Sequence, residues 1–484
     1  MRETELTVVG AGAAGLAVAG EAASHGVAVT VLDDNARPGG QYFRQLPPSF
    51  RRTATSPFDK DQARAETLLR GLDQPGITHL GEAIVWEAPE DGVLAFTRGA
   101  ESGRVRARLI VVAAGAYDRP VPFPGWTLPG VMTAGGVQNL IKGHRVVPGG
   151  RIVVAGNGPL VLLVAANLVR AGAEVAAVAE AAPVHRRLGR EASDLLAAPR
   201  IVRQAIDYRG ALLCARVPFL TRHIVVEARG TDELDSVVLA PIDETGRIDR
   251  ARGRSIAADT LVVGFGLTPS IEILRLLECE LRWDRLRGGW LPVRSAEFET
   301  SRKGVLAVGD GAAIGGVEMA LLEGRLAGLI AAERLGRLGA GAARHLARPL
   351  RQRLLRLERF RRALERLYAP PASYLDLLTP ETIVCRCEEV TAGELSARQG
   401  DGYTSALALK GTTRLGMGRC QGRNCLATLA ALVGRASGQA PEDVPMPRAR
   451  PPARLITIGD LLHEPLAPPE LPEDPHLPRG ERVS

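Results

Sequence analysis

Four cysteines near the C-terminus have the types and spacing of a thiolate site. Cys385-Arg386-Cys387 is followed, after 32 intervening residues, by Cys420-Gln421-Gly422-Arg423-Asn424-Cys425. Four thiolates so close in sequence suit ligation of a [2Fe-2S] cluster by Cys385, Cys387, Cys420 and Cys425. Zinc is the alternative, but its sites usually space each pair by about two to four residues, and a Cys-x-Cys start is less typical of it. Gly416, Gly418 and Gly422 allow backbone N–H groups to turn toward sulfur. A helix starting near Cys425, with Leu426, Leu429 and Val433 on one stripe, would bring a positive N-terminus to the thiolates. Lys410, Arg414 and Arg419 either offset cluster charge, hold the phosphate of a second flavin, or are solvated surface cations. Cys214 and Cys279 have no partner at useful spacing and read as small buried residues in apolar contexts.

A second kind of chemistry lies in two glycine turns. Gly10-Ala11-Gly12-Ala13-Ala14-Gly15 follows an apolar run and opens a helix. The first glycine permits the tight turn, the second lets a pyrophosphate approach the backbone, and the third allows close helix–strand packing. The helix N-terminus offers free N–H groups and partial positive charge to phosphate. Asp33 ends the next strand, about 20 residues on, where an acid bonds a ribose hydroxyl. The second turn, Gly156-Asn157-Gly158-Pro159-Leu160-Val161, departs from the pattern at its last position, and Glu180 ends its following strand. This site is open to three readings: it binds NAD, it binds another adenine nucleotide such as ATP, or it is an empty relic. Arg186 and Arg187 lie downstream, without the look of a 2′-phosphate site.

The elements that must position these residues follow from the apolar runs. Strands are expected at 5–9, 27–32, 107–114, 151–155, 260–264 and 304–308, with helices from the first turn to Ser24 and over 317–334. This is an α/β pattern of parallel-sheet βαβ units. Two unit starts about 145 residues apart imply two Rossmann-like domains. The second is inserted into the first, because strand-plus-turn chemistry returns at 304–310. Leu350, Leu354, Leu357, Phe360, Leu364 and Leu367 recur at helical spacing, giving an Arg-rich amphipathic helix over 349–367 that Pro370 and Pro371 end. It reads as a docking or linker helix, with a membrane-surface role secondary. The Pro-rich tail after 438 reads as an extended arm whose 455–462 stretch docks elsewhere.

The chain has 484 residues, 45% hydrophobic and 24% charged, with a net charge of +7 carried mostly by arginine. No nucleic-acid motif accompanies that charge, so no nucleic acid is expected. The basic surface suits steering of an acidic protein partner. Met1 to Glu5 lacks a signal peptide's basic and apolar regions, and no apolar stretch of about 18 residues exists. The expected compartment is the cytoplasm, with no transmembrane segment, where thiols stay reduced.

Pro38-Gly39-Gly40-Gln41 after Asp33, and Gly309-Asp310 far downstream, make residues 1–335 resemble the two-dinucleotide-binding-domain flavoproteins of the disulfide-reductase-like type. That resemblance implies FAD on the first turn, held by Gly10, Gly12, Ala14, Gly15, Asp33, Gly40, Gln41, Ala114, Gly115, Gly309 and Asp310. Asp310 alone also reads as a simple helix cap. It makes the second turn, with Gly156, Gly158 and Glu180, the NAD(P)-like position. Ala113-Ala114-Gly115-Ala116 and Gly264-Phe265-Gly266 resemble the family's connecting turns. No cysteine pair follows Gly40, so disulfide-reductase chemistry is not expected. The cysteine region resembles a bacterioferritin-associated-ferredoxin-like [2Fe-2S] domain, departing from it in the four residues between its second pair.

Across nearly the whole chain the combination resembles the alpha subunits of heteromeric proline and D-hydroxyproline dehydrogenases, opine oxidases and hydrogen cyanide synthase. This implies an electron-transfer subunit partnered by an FAD-containing beta subunit that oxidises the amino acid, a downstream acceptor, and in some members FMN at a subunit interface. The implied organisation is an FAD domain over 1–117 and 288–340, an inserted nucleotide domain over 118–287, a linker helix over 341–379, a [2Fe-2S] domain over 380–437 and a tail over 438–484. A stand-alone NAD(P)H-dependent reductase is the competing reading.

Overall fold

The computed structural model describes residues 1–47, 59–99 and 101–462. Its first sheet is built on the strand Arg2–Val9, which lies parallel between Val29–Leu32 and Glu101–Val112, with Ile77–Leu80 beyond Val29–Leu32. Glu101–Val112 is long enough to take two partners along its other edge. Its first half pairs antiparallel with Val93–Arg98, and Ile110–Val112 pair parallel with Val305–Ala307. Register fixes the functional end of this sheet: Val9 stands opposite Leu32 and Val112, and Ala307 also opposite Val112. The residues that follow each strand, Gly10, Asp33, Ala113 and Val308, therefore leave the sheet side by side.

Helices Ala13–Ser24 and Val317–Arg334 pack on one face of this sheet and share one core with it. They come close enough that a Cβ on Gly324 would lie 2.3 Å from the Ala14 carbonyl oxygen. A five-stranded parallel sheet orders Phe219–Thr221, Glu174–Glu180, Arg151–Gly156, Thr260–Gly264 and Val131–Thr133. The chain leaves the first unit through Ala116–Asp118 and returns through Leu267–Pro269, and these two segments pair antiparallel.

The linker helix runs Ala340–Leu367, starting nine residues before the expected 349. Pro349 lies inside it on the exposed face, where the carbonyl that loses its backbone partner is open to solvent. The helix spans both units. Leu350 and Leu354 join the core of the first, whereas Phe360, Ala363 and Leu367 pack with Leu195 and Ala198 of the second.

Beyond it, Ile383–Cys385 pairs with Val390–Thr391, and helices Ala392–Gly400, Ala406–Thr413 and Leu426–Ser437 close around Val384, Leu395, Leu409, Leu415 and Leu429. Thr391 and Ser405 cap the first two of these helices by accepting from Glu394 N and Ala408 N. The arm after 438 docks on the first sheet: Ala453 N donates to the Trp86 carbonyl (2.9 Å) and Ser102 Oγ to that of Asp460 (3.0 Å). The tail expected over 438–484 continues past 462 into residues outside those described. Among the described residues no helix is long and apolar enough to cross a membrane.

Candidate functional site

The first glycine turn is built by close approach. Gly10 has φ +101°, and a Cβ there would lie 2.5 Å from the Ala113 carbonyl oxygen; one on Gly15 would lie 1.8 Å from that of Gly10. Only bare backbone fits. Gly12 caps the helix Ala13–Ser24 without a side-chain hydrogen bond, so the first-turn N–H groups remain for a phosphate. Gly40 closes over Gly12, and Ala14 faces Gly309. Asp33 is 4% exposed; its Oδ1 accepts from Asn35 N and Nδ2, both at 3.2 Å, while its buried Oδ2 has no partner. Burial raises its pKa above the ordinary carboxylate value. An orphaned acceptor beside a turn made only of glycine and alanine fits the ribose of an adenine dinucleotide.

Asp310 lies on the same wall, but its Oδ1 accepts from Gly315 N (2.8 Å) and Gly316 N (2.9 Å), which shapes the loop before Val317–Arg334. Burial also raises its pKa. The turn it sits on is held by groups that no motif in the sequence singles out. Glu323 Oε2 accepts from Gly309 N (2.8 Å), and both its oxygens pair with Arg294 (2.8 and 3.0 Å).

At the second turn Val161 fills the position of the third glycine. Gly264 on the neighbouring strand lies beside it: an added Cβ there would make ordinary contact with Val161 Cγ2 (3.4 Å) and a tighter one with Ala134 Cβ (3.0 Å). Glu180, named with this turn as a nucleotide-site residue, is buried at the end of Glu174–Glu180. Its Oε2 accepts from Gly158 N (3.1 Å) and its Oε1 from Ala182 N (2.9 Å), while burial pushes its pKa up to about 8. Arg186 pairs with Glu244, and Arg187 donates to carbonyls at the end of the linker helix.

The four C-terminal cysteines meet in two pairs. Cys425 Sγ–H hydrogen-bonds Cys385, and with the Gly416, Glu388 and Cys387 N–H groups it brings the Cys385 thiol down to about 5 against the opposing effect of burial. Cys387 pairs with Cys420, and burial raises it. The hydrogen bond to Cys385, with burial, raises Cys425. Among the described residues no group of three or more His, Cys, Asp or Glu side chains stands ready-made around a single ion. What the donor set offers is four sulfurs, inward N–H groups and the N-terminus of Leu426–Ser437 at Cys425. Gln421 and Gly422 have φ +50° and +83°, so the loop between the second pair of cysteines turns sharply there. A Cβ on Gly418 would come within 2.4 Å of the Cys387 Cβ. Arg414 is drawn off to Glu388 (2.8 Å). Cys279 is buried as expected, whereas Cys214 is exposed. It closes a helix, Pro199–Cys214, that buries only Leu212.

One cavity of about 1760 Å³ is lined by Gly10, Asp33, Gly40, Gly115 and Asp310 and also by Cys420, Arg423 and Asn424. Arg423, inside the second cysteine loop, explains the docking. Its Nε bonds Glu272 (2.7 Å), its NH2 donates to the Ala453 carbonyl (3.3 Å), and Tyr117 Oη donates to its own carbonyl (3.3 Å). Trp126 Nε1 donates to the Ile383 carbonyl (2.7 Å). The sequence signal available for Arg423 was its position between two ligand candidates; Tyr117, Trp126 and Glu272 carried none.

Residues 4–336 match the profile described as pyridine nucleotide-disulphide oxidoreductase, and the chain belongs to that family. It is a flavin-dependent oxidoreductase on that footing. It is similar to an opine oxidase subunit of Agrobacterium tumefaciens, 34% identical over 95% of this chain and 92% of that protein. It is likewise similar to the HcnB subunit of hydrogen cyanide synthase from Pseudomonas aeruginosa, 34% identical over 89% of this chain and 93% of that one. Its fold is shared with L-proline dehydrogenase from P. horikoshii, with a TM-score of 0.68, 19% identity, and coverage of 95% of this chain and 79% of that one.

Proposed function

We propose that this chain is the electron-transferring subunit of an amino- or imino-acid dehydrogenase or oxidase complex, with FAD on the first turn and a [2Fe-2S] cluster on Cys385, Cys387, Cys420 and Cys425. The observation that carries this reading is the shared cavity, whose wall is the glycine turn on one side and Cys420, Arg423 and Asn424 on the other. When bound, FAD supplies two-electron acceptance and the cluster one-electron passage. The chain's own residues supply placement. Gly10 and Gly15 permit the tight turn and its packing and Gly12 admits a pyrophosphate, Asp33 Oδ2 takes a ribose hydroxyl, and Gly40, Gln41, Ala114, Gly115 and Gly309 form the remaining wall. The Arg423–Glu272 pair and the Trp126–Ile383 bond hold the cysteine loop against that wall.

The amino acid, of the proline, hydroxyproline or opine kind, is oxidised on a separate flavin-carrying subunit. Support for that partner is that the two relatives are themselves named as subunits. The compartment we assign is the cytoplasm, which keeps the thiols reduced.

The test is anaerobic purification of the full chain, with flavin, iron and acid-labile sulfide assays. The expected yield is one flavin with about two irons and two sulfides, and Cys420→Ser is expected to lose iron while keeping flavin. A yellow protein with about one zinc and no iron would overturn the proposal. Bleaching of its flavin by NADH alone would transfer the assignment to a self-sufficient reductase.

A further inference from the structure

The arm that follows the cysteine unit returns to the cavity of the first glycine turn. The register of Ala83–Glu90 against Val93–Arg98 skips Trp86, and a residue left out of a ladder keeps a carbonyl to offer. Ala453 N takes that carbonyl at 2.9 Å. On its other side the Ala453 carbonyl accepts from Arg423 at 3.3 Å, inside the second cysteine loop. A second hold follows at Asp460, whose carbonyl accepts from Ser102 Oγ at 3.0 Å. One buried alanine therefore joins the first sheet to the cysteine loop.

That anchorage delivers Arg454 to the cavity. Its side chain, 29% exposed, lines the cavity with Asp33, Asp34, Asn35, Ile84 and Val85. Its Nη2 stands 3.8 Å from Asp34 Oδ2, too far for a hydrogen bond, and among the described residues the guanidinium makes none. A half-buried fork of five N–H donors without acceptors is incomplete by itself. The ligand expected beside Asp33 carries such acceptors on its adenine, ribose and pyrophosphate. We propose that Arg454 contacts FAD, donating to the adenosine-diphosphate half of the cofactor, so that the flavin site is completed from the far end of the chain. This rests on the assignment of FAD to the first turn. Because Ala453 and Arg454 then hold the cysteine loop and the cofactor with one peptide, bound flavin favours the docked loop, and the docked loop favours bound flavin.

Release of FAD from the purified full chain tests this, followed by flavin fluorescence after dilution. Arg454→Ala should release FAD about tenfold faster than the parent, the effect of losing one charge-assisted hydrogen bond. Hydrogen exchange over 453–460 should stay at the parent's level in that variant, because Ala453 N and the Asp460 carbonyl still hold the arm. Arg454→Lys, which keeps the charge and loses the fork, should fall between the two. Release at the parent's rate from Arg454→Ala would overturn the proposal. So would faster release accompanied by opening of the arm, since Arg454 would then act through docking and not through contact. A parent that purifies without flavin and takes none up would defeat the FAD assignment and this proposal together, whereas a flavin-loaded parent with an indifferent Arg454→Ala defeats the proposal alone.

Discussion

A side chain at position 10 has nowhere to go. With φ at +101° and the Ala113 carbonyl 2.5 Å from where a Cβ would stand, Gly10→Ala combines a left-handed backbone penalty of about 1–2 kcal/mol with a main-chain clash. The expected outcome is a protein purified with little or no flavin, read from its visible spectrum. Asp33→Ala should weaken FAD retention by about tenfold, as expected for losing one charge-assisted hydrogen bond, measured by flavin release during dialysis. Glu180 gives a pH prediction. Its folded pKa is raised to about 8 from 4.5 by burial, so between those values the folded state holds a proton that the unfolded state has lost. Stability therefore falls as pH rises through that window. Glu180→Gln cannot titrate, so the gap in thermal midpoint between parent and variant should narrow from pH 5 to about pH 8. A gap that widens would show that the two backbone donors, Gly158 N and Ala182 N, outweigh burial.

Among elements, the contact between Ala13–Ser24 and Val317–Arg334 matters most to the flavin wall, because the first begins at the phosphate turn and the second follows Asp310. Gly324 and Gly328 make the approach possible: a Cβ on Gly324 would meet Ala14 O at 2.3 Å, and one on Gly328 would meet Glu21 Cβ at 2.7 Å. Gly324→Ala should destabilise the protein by about 1–3 kcal/mol through overpacking, and should loosen FAD because Ala14 moves with its helix. Chemical denaturation with and without added FAD checks both. The linker helix works differently. Its length lets one end share the first unit's core while the other packs on Leu195 and Ala198, so it fixes the relation between the two units that the cavity separates.

At the scale of the molecule, the cysteine unit is fastened by few bonds. The Arg423–Glu272 pair is largely buried, with side chains 19% and 12% exposed, and Trp126 Nε1 adds a bond to the backbone next to Cys385. Replacing one partner strands the other in a buried place. Glu272→Gln combined with Trp126→Phe should leave flavin content intact and slow the passage of electrons from flavin to the proposed cluster, measured by stopped-flow absorbance. An unchanged rate would mean that this docking does not set the electron path.

Chemistry carried by neighbours in sequence could be read without coordinates. The glycine turns, the cysteine pairs and the helices ending at Ser24 and Arg334 show themselves through spacing and period, which are local properties of the chain. The uses of Glu180, Arg187 and Cys214 could not be read in this way. Asn157 finds Tyr368 211 residues away and Arg423 finds Glu272 151 residues away. Glu180 accepts from the N–H groups of Gly158 and Ala182, a use that its place at the end of a strand does not reveal. Pairings across such distances are set by the burial of whole faces, after the loop-closure cost has been met. Two turns of nearly the same pattern line one cavity yet acquired different neighbours through packing, since Asn157 of the second bonds the Tyr368 carbonyl at the end of the linker helix while Gly12 of the first lies under Gly40.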